Sequence, residues 1–171
     1  RSHLPIDERL KQFKAGEHDP GLNVLFFQYG RYILLSSSGT GGLPSNLRGI
    51  WSESLRPSWS SDFHHDINLQ HYYWPAEVNN LPECADALFG YLDRCLPAAR
   101  TAAKNLYGCN GIFIPLTTGA WSRCLKTEPG GFDLRKERGG WDEWTGAAAW
   151  LAQHYWWHYE FSEDEDFLRT R

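Results

Sequence analysis

The chain lacks methionine and has no long apolar run. None of its 171 residues is Met, including the first. Its hydrophobic pieces, such as residues 24–27 and 33–35, fall far short of the roughly 20 residues that a membrane span requires, so no span is expected. The missing initiator, together with a capping-box pattern at residues 162–165 that opens a helix just before the last residue, predicts a fragment of a longer protein.

Nucleotide and serine-hydrolase motifs are also missing from the sequence. It contains no G-x-x-x-x-G-K-[ST], no G-x-G-x-x-G and no G-x-S-x-G pattern, which disfavours the classes that depend on them. Its 17 basic residues are scattered among 21 acidic ones, for a formal net charge of −4. Because phosphate backbones require a concentrated positive surface, nucleic acid is not expected as a partner.

Cysteine is scarce, and its spacing disfavours a zinc site. Cys84, Cys95, Cys109 and Cys124 include no C-x-x-C pair, and no metal or other cofactor is expected. Cys84 and Cys95 would stand about three turns apart on one helix, too far to bridge. Cys109 and Cys124 flank a loop and could form a disulfide, although buried free thiols are the default expectation.

Periodicity predicts helices separated by long and short loops. The helices are expected at residues 6–14, from the Asp19 cap to about 35, at 68–79 with a kink or break at Pro75, at 82–107 with an interruption or restart at Pro97, and at 144–161. Residues 36–65 and 109–140 are predicted as loops, with a short strand at 112–116. The last long helix is apolar on nearly every face, which predicts that it is enclosed. An all-α toroid of paired helices therefore explains the pattern better than a simple bundle does.

His154 and His158 stand four residues apart on that last long helix, a spacing that can chelate a metal. A metalloprotease motif would need Glu directly after the first histidine, where Tyr155 stands, so hydrogen-bonded core histidines are favoured. Asp142 and Glu143 precede the same helix, where acidic groups favour its dipole. Contact between Glu143 and a substrate is a second reading of that position.

Aromatic residues are abundant, at 15% of the chain with nine Trp, and they crowd one polar stretch. Residues 59–80 read W-S-S-D-F-H-H-D-I-N-L-Q-H-Y-Y-W-P-A-E-V-N-N. Polar groups cost free energy to bury unless they are paired, so this mixture predicts a pocket rather than a core. Ring faces beside amides and carboxylates suit a sugar, which has apolar C–H faces and a rim of hydroxyls.

Asp66 and Asn68 are the candidate catalytic residues within this stretch. One reading makes them a helix start, with Asp66 as the N-cap. The other reading has them hold and polarise a water, as in inverting glycoside hydrolysis, where one carboxylate activates water and a second carboxylic acid protonates the leaving oxygen. Asn68 can orient such a water, and Asp66 can both orient it and accept its proton.

Four colinear segments resemble glycoside hydrolase family 95, the inverting α-L-fucosidase family, some members of which prefer α-L-galactosides. They are F-Q-Y-G-R-Y-I-L-L-S-S-S at 27–38, L-P-S-N-L-R-G-I-W at 43–51, W-S-S-D-F-H-H-D-I-N-L-Q-H-Y-Y-W-P-A-E at 59–77, and A-W-L-A-Q-H-Y-W-W-H-Y-E-F at 149–161. The resemblance implies an (α/α)6 catalytic barrel, of which residues 1–171 would be an incomplete, N-terminal part. The implied substrate is an oligosaccharide or glycoconjugate.

The resemblance also implies how the site is divided along the protein. In the family an Asn-x-Asn pair positions the attacking water, and Asn68 matches its second Asn. Asp66 stands where the first Asn is expected. The general acid Glu and a further Asp are expected beyond Arg171, so the fragment alone should be inactive. The residues expected to shape the sugar subsite are His64, Trp74, Trp51 and Thr118.

Two further positions depart from the family pattern. Residues 115–119 replace a His-rich segment that ends in Thr-Asp, and Trp157 stands where W-E-H-Y is common. They leave a rival open, a non-catalytic carbohydrate-binding or scaffold protein on the same fold. A disaccharide phosphorylase would need a phosphate pocket, for which no basic cluster is present. The sequence leaves the compartment open, and a secreted or periplasmic location is compatible with it.

Overall fold

The computed structural model describes residues 3–124 and 144–171, and the described chain is mostly helical. The helices are α1 (Ile6–Lys14), α2 (Pro20–Ser37), α3 (Asn68–Tyr73), α4 (Pro75–Val78), α5 (Pro82–Tyr107), α6 (Ala147–Ser162) and α7 (Glu165–Thr170). Two short strands, β1 (Phe63–His64) and β2 (Thr117–Thr118), and a 3-10 turn (Ser58–Ser61) complete the elements. The predicted all-α class is confirmed at this level, and the toroid stays a prediction. Over the described ranges no helix is long and apolar enough to cross a membrane.

The start of α2 follows the predicted capping chemistry. Pro20 occupies the first turn, and the Asp19 carboxylate accepts a hydrogen bond from the backbone N–H of Leu22 at 3.2 Å. The same carboxylate receives two hydrogen bonds from the Arg9 guanidinium, at 2.9 and 3.0 Å. A bidentate pair of this kind fixes orientation as well as distance, so it ties α1 to the first turn of α2.

Helix α5 forms the centre of the core. One face of it is buried, and the buried residues include Cys84, Ala85, Leu88, Phe89, Tyr91, Leu92, Cys95 and Ala99. Pro97 lies inside this helix without dividing it, so the predicted interruption is wrong. Gly108 ends α5 in the left-handed conformation, with φ of 66°, which glycine adopts without a steric penalty.

The predicted kink at Pro75 separates α3 from α4. Trp74 keeps helical dihedral angles, with φ −54° and ψ −40°. Because Pro75 has no backbone N–H, the hydrogen bond to residue 71 is missing and the helix divides at this point. The backbone N–H of Asn79 then donates to the Pro75 carbonyl at 3.1 Å.

Helix α6 is less enclosed than its composition predicts. Only Ala147, Leu151 and His154 are buried in it, while Trp156 and Phe161 are 50% and 57% exposed. Within the described ranges α3, α4, α5 and α7 contact it and leave these side chains uncovered, so the expectation of an enclosed helix is wrong for this structure. The cap of α7 is also shifted: Asp164, and not the predicted Ser162, accepts the hydrogen bond from the Phe167 N–H.

The two short strands bring distant segments together. β1 pairs antiparallel with β2, and Phe63 lies opposite Thr118 while His64 lies opposite Thr117. The His65 N–H extends the pairing by donating to the Leu116 carbonyl at 2.7 Å. The strand expected at 112–116 is therefore wrong, since pairing with β1 occurs just after it.

The Tyr73 hydroxyl holds the loop after α2 against α3. It is buried, lies 2.8 Å from the Ser38 hydroxyl and accepts a 2.8 Å hydrogen bond from the Ser45 N–H. Burial raises the pKa of this phenol to about 12. Replacing Tyr73 by Phe leaves the Ser45 N–H without its acceptor, and we expect the free energy of unfolding to fall by about 1–3 kcal/mol.

Urea denaturation of the full-length protein measures this loss. The matched control is Tyr29→Phe, because Tyr29 is exposed on α2 and such a substitution changes stability by less than about 0.5 kcal/mol. Equal stability of the Tyr73→Phe and Tyr29→Phe variants would contradict the assigned role.

Candidate functional site

A tight turn at residues 46–49 shapes one wall of the candidate site. The Asn46 side chain accepts from the Arg48 N–H at 2.8 Å, and the Gly49 N–H donates to the Asn46 carbonyl at 2.8 Å. Gly49 has φ of 66°, and a Cβ on it would lie 2.4 Å from the Trp51 ring. Only glycine fits this position, because the backbone is left-handed and the indole lies directly over it.

Trp51 lines an open pocket beyond this turn. The pocket has a volume of about 420 Å³, and its lining residues are Arg48, Trp51, Ser52, Ser54, Arg56, Pro57 and Ser58. An indole face beside hydroxyl and guanidinium donors can accept a ligand that carries both C–H faces and oxygen acceptors. The predicted subsite residue Trp51 is thus placed at a concave surface.

The chain enters β1 through a strained turn. Trp59, Ser60 and Ser61 have φ values of 58°, 59° and 49°, a left-handed conformation that costs roughly 1–2 kcal/mol per residue for L-amino acids. Strain of this kind persists only where the surrounding contacts hold it. One such contact is the 3.0 Å hydrogen bond from the Leu47 N–H to the Asp62 carbonyl, and Trp59 packs edge-on against His64.

His64 lies between two carboxylates. Its Nε2 is 2.5 Å from Asp62 Oδ1, and its Nδ1 is 4.0 Å from Asp66 Oδ1. The sequence analysis did not single out Asp62 as a site residue. The sequence could have indicated Asp62, because residues 62, 64 and 66 are spaced two apart. Side chains at that spacing lie on one face of an extended chain. The cluster therefore places a carboxylate on either side of one imidazole.

Asp66 does not cap α3. The N-cap position is occupied by Ile67, and no side chain caps the helix there, so the helix-start reading of Asp66 is wrong. Its side chain is 42% exposed, which leaves the carboxylate open to solvent beside His64. An accessible carboxylate next to an imidazole has the access that a base acting on water requires.

The Asn68 side chain is held by Tyr72, one turn further along α3. Its amide is a hydrogen-bond partner of the Tyr72 hydroxyl, which in turn donates to the Leu47 carbonyl at 3.2 Å. Burial raises the pKa of Tyr72, against the opposing effects of Asn68 and the Arg48 charge. These contacts connect Asn68 to the wall that contains Arg48, so α3 and the 46–49 turn position the amide together.

Thr118 lies in β2, paired with Phe63 of β1, rather than on the pocket surface. It is only 4% exposed, and its hydroxyl bonds both to His65 Nε2, at 2.7 Å, and to the Tyr91 hydroxyl. The Tyr91 hydroxyl donates to the Gly119 carbonyl, so Thr118 donates to Tyr91 and accepts from His65. His65 therefore carries a proton on Nε2, and it is neutral near pH 7 because burial lowers its pKa to about 3. The sequence analysis had not assigned a role to His65 or Tyr91.

Trp74 lies at the opposite end of α3 from Asn68. Its ring stacks on Trp157 with centroids 5.5 Å apart and planes 20° apart. The two rings line a second, smaller pocket of about 150 Å³ together with Tyr73, Glu77, Val78, Ala85, His154 and Phe161. The predicted site residues are thus divided: Trp51 lines the first pocket, Trp74 lines this second pocket, His64 and Asp66 belong to the carboxylate cluster, and Thr118 belongs to the hydrogen-bond network of β2.

The two histidines of α6 have different surroundings. His158 Nδ1 is 2.7 Å from Glu77 Oε1, as expected for a hydrogen-bonded histidine. His154 is buried, its pKa is lowered to about 4 by burial, and its Nε2 has no hydrogen-bond partner within residues 3–124 and 144–171. No group of three potential metal ligands occurs in the same ranges. Asp142 and Glu143 lie outside the described residues.

Comparison with known proteins gives a family match over the whole chain. The profile of the glycosyl hydrolase family 95 catalytic domain matches residues 1–171. Alpha-L-fucosidase 2 of Arabidopsis thaliana is 37% identical over 166 residues, which cover 96% of this chain and 18% of the relative. Probable alpha-fucosidase A of Aspergillus niger is 34% identical over 166 residues, covering 96% of this chain and 20% of the relative. The chain thus spans about a fifth of the length of these relatives.

These matches and the helical fold define the class as a glycoside hydrolase catalytic domain. The resemblance inferred from the four sequence segments is confirmed. The chain belongs to glycosyl hydrolase family 95, and it matches the catalytic domain of that family from its first residue to its last.

Proposed function

We propose that the full-length protein is an inverting exo-glycosidase that removes terminal α-L-fucose, or a related α-linked sugar such as α-L-galactose, from an oligosaccharide or glycoconjugate. The observation that carries this proposal is the open Asp66 carboxylate beside His64, two residues before Asn68, whose amide is held by Tyr72. The relatives named as α-fucosidases support the choice of sugar. Residues 1–171 would form the N-terminal part of an (α/α)6 catalytic barrel.

In this proposal Asp66 and Asn68 act on the water. The Asn68 amide orients it toward the anomeric carbon, and Asp66 accepts its proton as the new C–O bond forms. His64, paired with Asp62, contacts the sugar. A carboxylic acid elsewhere in the protein protonates the leaving oxygen, as inversion requires, and a Glu beyond Arg171 would supply it.

The remaining predicted subsite residues would act at different distances from the sugar. Trp51 offers its indole in the first pocket, and Trp74 offers the outer face of its stack with Trp157 in the second pocket. Thr118 is occupied by His65 and Tyr91, so we propose that it positions β1 from the neighbouring strand.

The stereochemistry of the product tests the proposal. The full-length protein is incubated with an aryl α-L-fucoside, and proton NMR follows the anomer of the sugar that is released first. We expect β-L-fucose first, because one displacement inverts the anomeric carbon. Initial release of the α anomer would contradict inversion, and a parallel assay with the aryl α-L-galactoside determines which sugar is preferred.

The rival function is carbohydrate binding without hydrolysis. It is favoured by the aspartate at position 66, where the family pattern has Asn, and by the burial of Thr118 within the departing 115–119 segment. Calorimetric titration with L-fucose distinguishes the two functions. Saturable binding without any release of sugar from the aryl glycosides would establish the rival and overturn the hydrolase.

A further inference from the structure

Two buried cysteines from distant parts of the chain lie side by side. Cys95 belongs to α5, Cys124 follows β2, and both are 0% exposed. Their thiols are hydrogen-bond partners of each other. The Cys124 sulfur is also 3.7 Å from the Cys95 carbonyl oxygen, so it lies against the backbone of the residue that carries the other thiol.

This pairing differs from the one that the sequence suggested. Cys109 is exposed, and its sulfur contacts the carbonyl oxygen of Ala103, whereas Cys124 is turned into the core toward α5. Cys84 is buried on α5 about three turns before Cys95, where geometry prevents a bridge between those two. The structure therefore selects one partner for Cys124.

We propose that Cys95 and Cys124 form a disulfide bond when the protein folds in an oxidising compartment. The pair closes a loop with a sequence separation of 29 residues, and a crosslink of this kind stabilises the fold chiefly by restricting the unfolded chain. The Cys95 thiol also contacts the Tyr91 hydroxyl, which supports Thr118. The crosslink would thus hold β2, and through it β1, against α5.

The reaction balances by thiol–disulfide exchange with a small-molecule disulfide such as oxidised glutathione. One cysteine thiolate attacks a sulfur of oxidised glutathione and releases one glutathione thiolate, which leaves a mixed disulfide. The second cysteine thiolate attacks the protein sulfur of that mixed disulfide and releases the second glutathione thiolate. Two protein thiols are oxidised and one glutathione disulfide is reduced to two thiols, which take up the two protons that the protein thiols released.

Burial determines when this exchange takes place. Both sulfurs are inaccessible in the folded chain, and exchange requires direct access to sulfur. The bond therefore forms during folding, before the segment that contains Cys124 docks on α5. Once formed, it is shielded from reductants.

Peptide mapping of the full-length protein tests the proposal. The protein is expressed in an oxidising compartment, denatured, alkylated with iodoacetamide and digested without reduction. Trypsin puts Cys95 in the peptide 95–100 and Cys124 in the peptide 124–126, and it leaves the other two cysteines in separate peptides. We expect these two short peptides to be linked and unalkylated, and to separate after reduction with dithiothreitol.

Two serine variants provide the matched controls. In the Cys109→Ser variant, peptides 95–100 and 124–126 should remain linked by the disulfide. The Cys95→Ser variant should lack this link, and its Cys124 should be alkylated. Full alkylation of Cys95 and Cys124 in the wild-type protein overturns the proposal, and so does a link between Cys124 and Cys109. The wild-type digest decides the question even if a variant fails to fold.

Discussion

Replacing Asn68 by alanine in the full-length protein is expected to lower kcat about 100-fold to 1,000-fold, the loss typical of removing one preorganised polar group that acts in the transition state. KM for an aryl α-L-fucoside should change little, because in our proposal the amide holds the water and not the sugar. The contact of Asn68 with Tyr72 fixes the amide before the substrate arrives, and alanine leaves that position empty. Steady-state kinetics measures both constants.

Asn105→Ala is the matched control, since Asn105 is exposed on α5 and plays no part in the proposal. A companion substitution, Asp66→Asn, separates proton transfer from positioning. As the base, Asp66 must be ionised, so its replacement should lower kcat by a similar factor and remove the loss of kcat/KM at acidic pH that its protonation causes. A variant with normal rate and an unchanged pH profile contradicts the base role.

Acidification from pH 6.5 to about 4.5 is expected to destabilise the fold strongly through His65 and His154. Burial lowers their pKa values from 6.5 to about 3 and about 4. In this range the unfolded chain therefore binds two protons that the folded chain does not bind, so the free energy of unfolding falls as the pH falls. Each group contributes about 1.4 kcal/mol per pH unit, so the two together remove up to about 3 kcal/mol per pH unit. Urea midpoints across this range measure the slope.

Replacing His154 by Phe keeps a ring on α6 but removes its titration, so the slope should fall by about half. His154 is the better position to change because its Nε2 has no partner in the described part of the chain, whereas His65 is bonded to Thr118. His3→Gln at the exposed N-terminal end serves as the control and should leave the slope intact. Stability that stays constant between pH 6.5 and 4.5 contradicts the burial of two neutral imidazoles.

Most helices of this chain could be predicted because their determinants are local. The Asp19 cap followed by Pro20 and the left-handed Gly108 set helix ends through contacts within a few residues, and the printed sequence displays such neighbours directly. Pro75 divided its helix for an equally local reason, the missing N–H. The interruption predicted at Pro97 was wrong. Pro97 lacks an N–H just as Pro75 does, but it lies within a helix whose buried face packs along the core.

The candidate site was predicted in composition but not in arrangement. The stretch 59–80 indicated a polar and aromatic site, and Asp66 was found open to solvent. The burial of Thr118 in β2 could not be predicted, because its partners His65 and Tyr91 lie 53 and 27 residues away in sequence. Trp74 was grouped with Asn68 because the two are near in sequence, yet a helix separates their side chains along its axis.

The sequence by itself determined the helical class, most helix ends, the family, and the residue types available for chemistry on sugars, because periodicity, caps and motifs depend on neighbours in the chain. Only the tertiary structure decided which groups meet: His64 with Asp62, His65 with Thr118, and Cys95 with Cys124. The last two of these pairs join segments that are far apart in sequence. Their contacts arise from the packing of β2 and the following segment against β1 and α5, which no local pattern encodes.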